Sequence, residues 1–428
     1  MLAAEGDLQG KSILIFDDGL RSLQGHWYDY DMAVVDGFRR RGAKVTVLCN
    51  QSFDQVDAME AAGATVVPAI RRSAWTGDAP PRRGIAELAS WMRQAAHFVA
   101  VLDRELKAER YDLVFVPNAM VYDSVAWLLL WWKNRFRNVG RVALLFRFAV
   151  QHHPNYVGSN LDPEAVLPKR IRLWRQIGQR LSHAVASGRL FYLTDSLRLA
   201  KEYRSALNLQ LAVAPSPRAL QLHPTASAGD IAAPKTFALL GFARWARGTD
   251  LFEQAIRILL DRGAATGLRF VVQWYSNVID PNGLVYEPSR AVLASDNVEI
   301  IKSPLSTEAY EAMFSGIDCM VLPYRRNFYY SQISGVAIEA ASSGIPMIYT
   351  ADTWLEDFAI EQGAGIAVPD GDAAALAEAI STVAADFESY KAQAVLRSAV
   401  AQARNSPEAF MQVLWGGAPS APKAGNLA

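Results

Sequence analysis

Cysteine is nearly absent: Cys49 and Cys319 are the only two among 428 residues, and both sit in apolar runs. That excludes a disulfide framework and a cysteine metal site, and it fits a reducing compartment. Long apolar runs are missing too. The longest unbroken one, Val125–Trp132, has eight residues, against the ~20 that a spanning helix needs. The first ten residues carry Glu5 and Asp7 without an apolar core, so they do not read as a secretory signal. A soluble, cytoplasmic protein is expected. Histidine is scarce, with six residues, and no P-loop, dinucleotide fingerprint, Ser-His-Asp arrangement or paired Cys/His ligand set is visible.

Net charge is also absent, since 43 Lys and Arg balance 43 Asp and Glu. The balance hides an asymmetry. Residues 1–216 hold 28 basic and 21 acidic side chains, 28 − 21 = +7, and the remainder holds 15 and 22, 15 − 22 = −7. The first half is therefore suited to an anionic partner, unless the difference is only surface variation between two domains.

What is present is enough apolar sequence, 51% of the chain, to fill two domains of about 200 residues each. In the first half, strands are expected at Ser12–Phe16, Val45–Leu48, Thr65–Val67, Leu113–Val116 and Val142–Phe148. Helical patterns separate them at Trp27–Arg41, Ile85–Ala108 and Val121–Arg137. A second series starts near Lys235, with strands at Phe237–Leu240, Arg269–Trp274, Val298–Ile301, Cys319–Leu322, Pro346–Tyr349 and Gly365–Val368. Helices are expected at Asp250–Arg262, Thr307–Gly316, Gly335–Ser343, Trp354–Gln362 and Asp372–Ala384, and again in the tail to about Trp415. Such alternation implies right-handed βαβ units and parallel sheets. Ala214–Pro234, rich in Pro, Ala and Ser, reads as a linker. The fold class is thus α/β, two doubly wound Rossmann-like domains with a ligand at the carboxyl ends of their strands. The expected domains are 1–216, with a C-terminal helix in 400–428 packing back on it, and 217–399.

The most informative stretch is Pro323–Pro346, PYRRNFYYSQISGVAIEAASSGIP. After a strand ending at Leu322 comes a loop with Arg325, Arg326, Tyr329 and Tyr330, and then Ser334-Gly335 opens a helix bearing Glu339. Free N–H groups at a helix start favour an anion by ~0.3–1 kcal/mol through the dipole alone. Gly335 would let a diphosphate come close to the backbone. Glu339, one turn in, could accept both hydroxyls of a ribose. A plain N-cap with an exposed Glu fits the same spacing. Two adjacent carboxylates, Asp17-Asp18, point apart at a strand end and do not make a metal site.

The order SGVAIEAASSGIPMI followed by DGDAAALAEAI resembles the donor half of retaining GT-B glycosyltransferases, and most closely the family-four group often described as "glycosyl transferases group one". The resemblance implies two Rossmann-like domains facing across a cleft, an N-terminal one for the acceptor and a C-terminal one for a nucleotide diphosphate sugar. The second Glu of the family's Glu-x7-Glu motif holds the ribose, and Glu339 matches it. The first falls on Ser331, which is not acidic, and Tyr330, Ser331 or Gln332 would have to replace it. Ser334 and Gly335 correspond to the turn whose amides bind the diphosphate. In Leu240–Gly248, LGFARWARG, Arg247 stands for the family's phosphate-clamping Lys. Phe242 holds the place of its Arg, and Arg244 lies two residues on. Gly25-His26 resembles the Gly-His turn facing donor phosphate and acceptor. His152 or His153, after the strand ending at Val150, resembles the His beside the donor sugar.

The activity implied is retaining, metal-independent hexosyl transfer to a hydroxyl acceptor, a glycan or lipid-linked glycan of polysaccharide biosynthesis. No cofactor beyond the sugar nucleotide is implied, and the linker would act as a hinge. Ser331 and Phe242 leave open a catalytically degenerate partner subunit, and a sugar-nucleotide epimerase on the same fold is a further alternative. Two segments, 127–137 with Trp127, Trp131 and Trp132 before Lys133, Arg135 and Arg137, and 169–180 with five basic residues around Trp174, suggest contact with the inner face of a membrane. A buried helix and a solvated one are the respective alternatives. Nucleic acid is not expected, since no binding module accompanies the basic residues.

Overall fold

Apolar runs such as Ile13–Phe16, all at most 1% exposed, are what a parallel sheet covered on both faces requires. They assemble two such sheets. The computed structural model of the chain describes residues 8–22, 26–73, 85–150, 169–217 and 234–416. These fall into two units, one made of the described residues up to 217 together with 405–416, the other of 234–404.

The first unit has strands β1 (Ser12–Asp17), β2 (Lys44–Asn50), β3 (Thr65–Ile70), β4 (Tyr111–Val116), β5 (Val139–Leu145), β6 (Leu190–Thr194) and β7 (Leu211–Val213), in spatial order β3-β2-β1-β4-β5-β6-β7. Every pairing in it is parallel. Its helices are α1 (His26–Arg39), α2 (Val56–Ala61), α3 (Ile85–Ala108), α4 (Val121–Trp132), α5 (Lys169–Arg180), α6 (Ser182–Ala186) and α7 (Leu197–Leu207). One face of the sheet is covered by α3, α4, α5 and α7, with Phe98, Trp127, Trp174 and Tyr203 at the centre. The other is covered by α1 and by the last helix of the chain.

The second unit has β8 (Lys235–Leu239), β9 (Leu268–Gln273), a hairpin of β10 (Val278–Ile279) and β11 (Val285–Tyr286), then β12 (Val298–Ile301), β13 (Cys319–Leu322), β14 (Met347–Thr350) and β15 (Gly365–Val368). The six parallel strands run in the order β12-β9-β8-β13-β14-β15. Helices α8 (Thr249–Asp261), α9 (Arg290–Leu293), α10 (Thr307–Ser315), α11 (Arg326–Tyr329), α12 (Gly335–Ser342), α13 (Trp354–Gln362), α14 (Ala373–Ala385) and α15 (Phe387–Arg404) complete it. On one face α8 and α14 pack, and on the other α10, α12 and α13. The chain ends, among its described residues, in α16 (Pro407–Gly416), which returns to α1 of the first unit. Cys49 and Cys319 are buried and unbridged.

Three expectations need correction. The helix read over Val121–Arg137 stops at Trp132, because Asn134 turns into the left-handed region and a 3-10 turn, Arg135–Asn138, follows. The next strand begins at Val139 and ends at Leu145, three residues early. The membrane contact expected of 127–137 and 169–180 loses most of its apolar basis. Trp127, Leu128 and Leu130 are buried, as are Ile171, Trp174 and Ile177 of α5, which pack in the core shared with α4 and α7. Only Trp132 projects, at 64% exposure. No helix among the described residues is long and apolar enough to cross a membrane. The linker read over 214–234 lies mostly outside the described residues.

Candidate functional site in the second unit

In a doubly wound sheet the crevice opens where strand order reverses, outside the carboxyl ends of the strands. In the second unit that point lies between β8 and β13, since β9 lies beyond β8 on one side and β14 beyond β13 on the other. Two loops flank it, Leu240–Gly248 after β8 and Pro323–Ser334 after β13.

The loops are built into one another. The Arg325 N–H donates to the Ala246 carbonyl at 2.9 Å. The Arg325 guanidinium pairs with Asp250 at 2.5 Å and lies over the Trp245 ring at 4.6 Å. Burial raises the Asp250 carboxyl pKa, and Arg325 opposes that shift. Gly248, in the left-handed region, starts α8, and a Cβ there would overlap the Pro323 carbonyl oxygen. Only glycine lets the two loops meet at this point.

Arg247 is the central cation. Its Nε donates to the Tyr329 hydroxyl at 3.4 Å, and its guanidinium lies 5.8 Å from the centre of the Tyr324 ring. Tyr324 is fully buried and stands 4.3 Å, ring to ring, from Tyr329. Among the described residues no carboxylate pairs with Arg247. Burial works against its charge, yet the surrounding phenols of Tyr324, Tyr329 and Tyr275 hold its pKa above the usual value, so it is cationic at any working pH. Gly241, whose N–H donates to Gln273 Oε1 at 2.7 Å, makes room for it: a Cβ at this position would collide with Nη1 of Arg247. Arg244 is exposed and lies 4.8 Å over the Phe242 ring, which in turn packs edge-on against Tyr275 at 4.7 Å. Phe242 thus carries the Arg244 guanidinium on its ring face.

Across the crevice, Ser334 caps α12, its Oγ accepting from the Ala337 N–H at 3.3 Å. Gly335 is the first residue of the helix, and Glu339 sits one turn in, half-buried, accepting from the Tyr310 hydroxyl at 2.6 Å. Ser331 is buried at 1% exposure, and Tyr330 is half-buried beneath Arg326, whose guanidinium lies 5.1 Å from its ring centre. The structure therefore brings Arg244, Arg247, Tyr330, Ser331, Ser334, Gly335 and Glu339 to the carboxyl rim of one sheet. Gly25, His152 and His153 lie outside the described residues. His26 opens α1 in the first unit.

Sequence spacing did not identify Tyr324, Tyr310 and Gln273. The signal for Tyr324 was its place two residues beyond a strand end. Nothing linear connects Tyr310 to Glu339, 29 residues on.

The arrangement offers a half-buried cation, an exposed one, and a helix N-terminus with a carboxylate one turn behind it. That set suits a diphosphate joined to a polyhydroxyl group. Residues 235–386 match the family model described as "Glycosyl transferases group 1". No curated protein matches the chain in sequence. Solved structures do resemble it along nearly the whole length. A sucrose-phosphate synthase from Thermosynechococcus elongatus superposes with a TM-score of 0.65 at 15% identity, covering 95% of this chain and 98% of that one. HepE from Anabaena, in complex with UDP and glucose, gives 0.61 at 12% identity over 94% and 98%. A glycosyltransferase from Rickettsia africae gives 0.62 at 10% identity over 94% and 96%. The chain has two parallel-sheet Rossmann-like α/β units and the fold of GT-B glycosyltransferase structures.

Proposed function

We propose that the protein is a glycosyltransferase that moves a hexosyl group from a nucleotide diphosphate sugar to a hydroxyl acceptor, with retention and without a metal. The observation that carries this reading is Arg247, half-buried at the switch point of the second sheet with phenols rather than carboxylates around it. A partly buried cation that has no anionic neighbour among the described residues is held at a cost, and a diphosphate would supply the missing charge. Arg244 and the amides at Ser334 and Gly335 would share that diphosphate, and Glu339 would hold the ribose. The family match over 235–386 and the UDP and glucose bound by HepE support the same assignment.

In this mechanism the residues act on the leaving group. Charge builds on the diphosphate as the glycosidic bond breaks, and a preorganised guanidinium stabilises that charge more than the ground state. The acceptor, a glycan or lipid-linked glycan, is assigned to the first unit, and the +7 of the half containing it, 28 − 21, favours an anionic one. Gly25, His26 and one of His152 and His153 are further residues proposed to contact donor or acceptor. A second reading is favoured by Ser331 and Phe242, which replace an acid and a cation of the family pattern: a partner subunit that binds the donor without turnover.

Thermal unfolding in the presence of UDP, GDP, ADP and their sugar conjugates tests the donor site. A ligand at 100 times its Kd adds ~2.7 kcal/mol, so the right base should raise the transition clearly, and Glu339→Ala should remove most of the rise. No rise with any of them would refute the donor-site assignment. Release of the free nucleotide diphosphate only when acceptor is added distinguishes transfer from binding alone.

A further inference from the structure

Glu339 is held by a residue from a different βα unit. Tyr310 lies in the first turns of α10, whose N-terminus is capped by Ser306 accepting from the Ala309 N–H at 3.2 Å. The Tyr310 ring packs on Phe314, one turn further, with centroids 5.7 Å apart, and Phe314 is itself buried at 3% exposure in the core beneath α12. The phenol therefore points from a fixed base. Its O–H reaches Oε2 of Glu339 at 2.6 Å, the length of a charge-assisted bond to a carboxylate. A carboxylate has about four acceptor sites, so this bond does not saturate it.

We infer that Tyr310 is a positioning residue that fixes the Glu339 carboxylate toward the ribose of a nucleoside diphosphate and so sets the preference for ribose over 2′-deoxyribose. The inference rests on the ribose role proposed for Glu339. The physical reason is rigidity. A site built to bind a hydroxyl rejects the analogue lacking it because its polar group is left unpaired. A half-buried Glu with free rotamers could turn to water when the 2′-hydroxyl is missing and escape much of that penalty. The Tyr310 bond restrains the carboxylate against that turn, so the penalty stays in force. Tyr310 therefore governs discrimination, not only affinity.

The test is calorimetric binding of UDP, GDP and ADP and of their 2′-deoxy counterparts to the full chain and to Tyr310→Phe, Glu339→Gln, Glu339→Ala and the double variant Tyr310→Phe/Glu339→Gln. Phenylalanine keeps the ring contact with Phe314, so folding should be retained. The expected result is a roughly tenfold loss of affinity for the ribonucleotide in Tyr310→Phe, as for loss of a hydrogen bond to a charged group, with little change for the 2′-deoxy form. The ratio between the two then collapses toward that of Glu339→Ala. The double variant should bind no worse than Glu339→Gln, because residues acting through one contact are not additive. Two results overturn the inference while leaving the donor site standing: an unchanged ratio in Tyr310→Phe beside a collapsed one in Glu339→Ala, or additive losses in the double variant. Wild-type binding and an unchanged ratio in Glu339→Ala overturn the ribose role of Glu339 and the inference with it, and absence of any nucleotide binding overturns the proposed function.

Discussion

Gly241 and Arg247 form a pair in which one residue's lack of a side chain makes the other's position possible. Gly241 has φ +100°, a conformation that L side chains rarely adopt, and a Cβ there would collide with the Arg247 guanidinium. Gly241→Ala should thus fail twice, through ~1–2 kcal/mol of backbone strain and through displacement of the cation. Nucleotide diphosphate affinity should fall about as far as in Arg247→Ala, on the order of tenfold or more for a lost charge-assisted contact, measured by calorimetry. The pair should not be additive: Gly241→Ala/Arg247→Ala should bind like Arg247→Ala alone. Arg247→Lys should recover part of the affinity, since an ammonium supplies the charge without the planar fork. Additive losses would mean that Gly241 serves the backbone and not the arginine. At this scale the sequence was informative where a motif is contiguous. Ser334, Gly335 and Glu339 could be picked from spacing and Arg247 from the family resemblance, and all four stand on one rim. Tyr310 and Tyr324 could not, because their partners come from other βα units and a contact across 29 residues leaves no period to read.

Among the elements, α1 places a carboxylate, Asp31, in the core beside the end of β1. Asp17, at the end of β1, accepts from the Gly19 N–H at 2.7 Å and from Asn118 Nδ2 at 3.2 Å. Asp31 of α1 is fully buried, and neither of its oxygens meets a hydrogen-bond donor among the described residues. Arg147 stands nearby, bonded to Asp195 at 3.0 Å and lying over the Tyr30 ring at 4.7 Å. Burial lifts Asp17 to about 6, and burial together with the Asp17 charge lifts Asp31 well above the ordinary carboxylate value. Both folded-state values exceed the unfolded ones, so the folded chain binds more protons. Stability contributed by the pair is present below about pH 4, falls through pH 4 to 6 for Asp17, and is lost for Asp31 as the pH rises through its raised value. Asp31→Asn keeps a donor facing Asp17 and removes the titrating proton. It should be more stable than the wild type at pH 8 and close to it at pH 5, by denaturant unfolding at each pH. Parallel curves for the two proteins would remove Asp31 from the account. Such a pair was not visible in sequence, where Asp17 and Asp31 lie 14 positions apart on different elements. The elements themselves were: a strand at Val298–Ile301, a helix at Trp354–Gln362 and a strand at Gly365–Val368 have the bounds read from apolar runs and turn residues. The short pieces α2, α9 and the β10–β11 hairpin were missed because four to six residues, or two paired with two, carry too little periodicity to register.

At the scale of the whole molecule, the chain order and the order of packing part company at Asn405. Residues 234–404 belong to the second unit, and α16 then adds its side chains to the first. Phe410, Met411 and Leu414 are fully buried there; Phe410 meets Tyr30 and Phe115 with ring centroids 5.7 Å and 5.6 Å apart, and Met411 lies against Gly37. Arg141 of β5 stands 5.2 Å from the Trp415 ring centre and bonds its carbonyl oxygen. Without α16 the α1 face of the first sheet would lose its cover. Phe410→Ala leaves a cavity of aromatic size and should cost ~3–5 kcal/mol, and that cost should fall on the first unit although residue 410 is the more distant in sequence. Nucleotide binding offers the internal control, because a ligand held at Arg247, Ser334 and Glu339 stabilises the second unit. In calorimetric unfolding, Phe410→Ala should lower one transition, and nucleotide should raise another in the wild type and the variant alike. If nucleotide instead restored the transition that Phe410→Ala lowers, the two units would unfold as one body, and α16 would have to be counted as part of the energetics of the donor site.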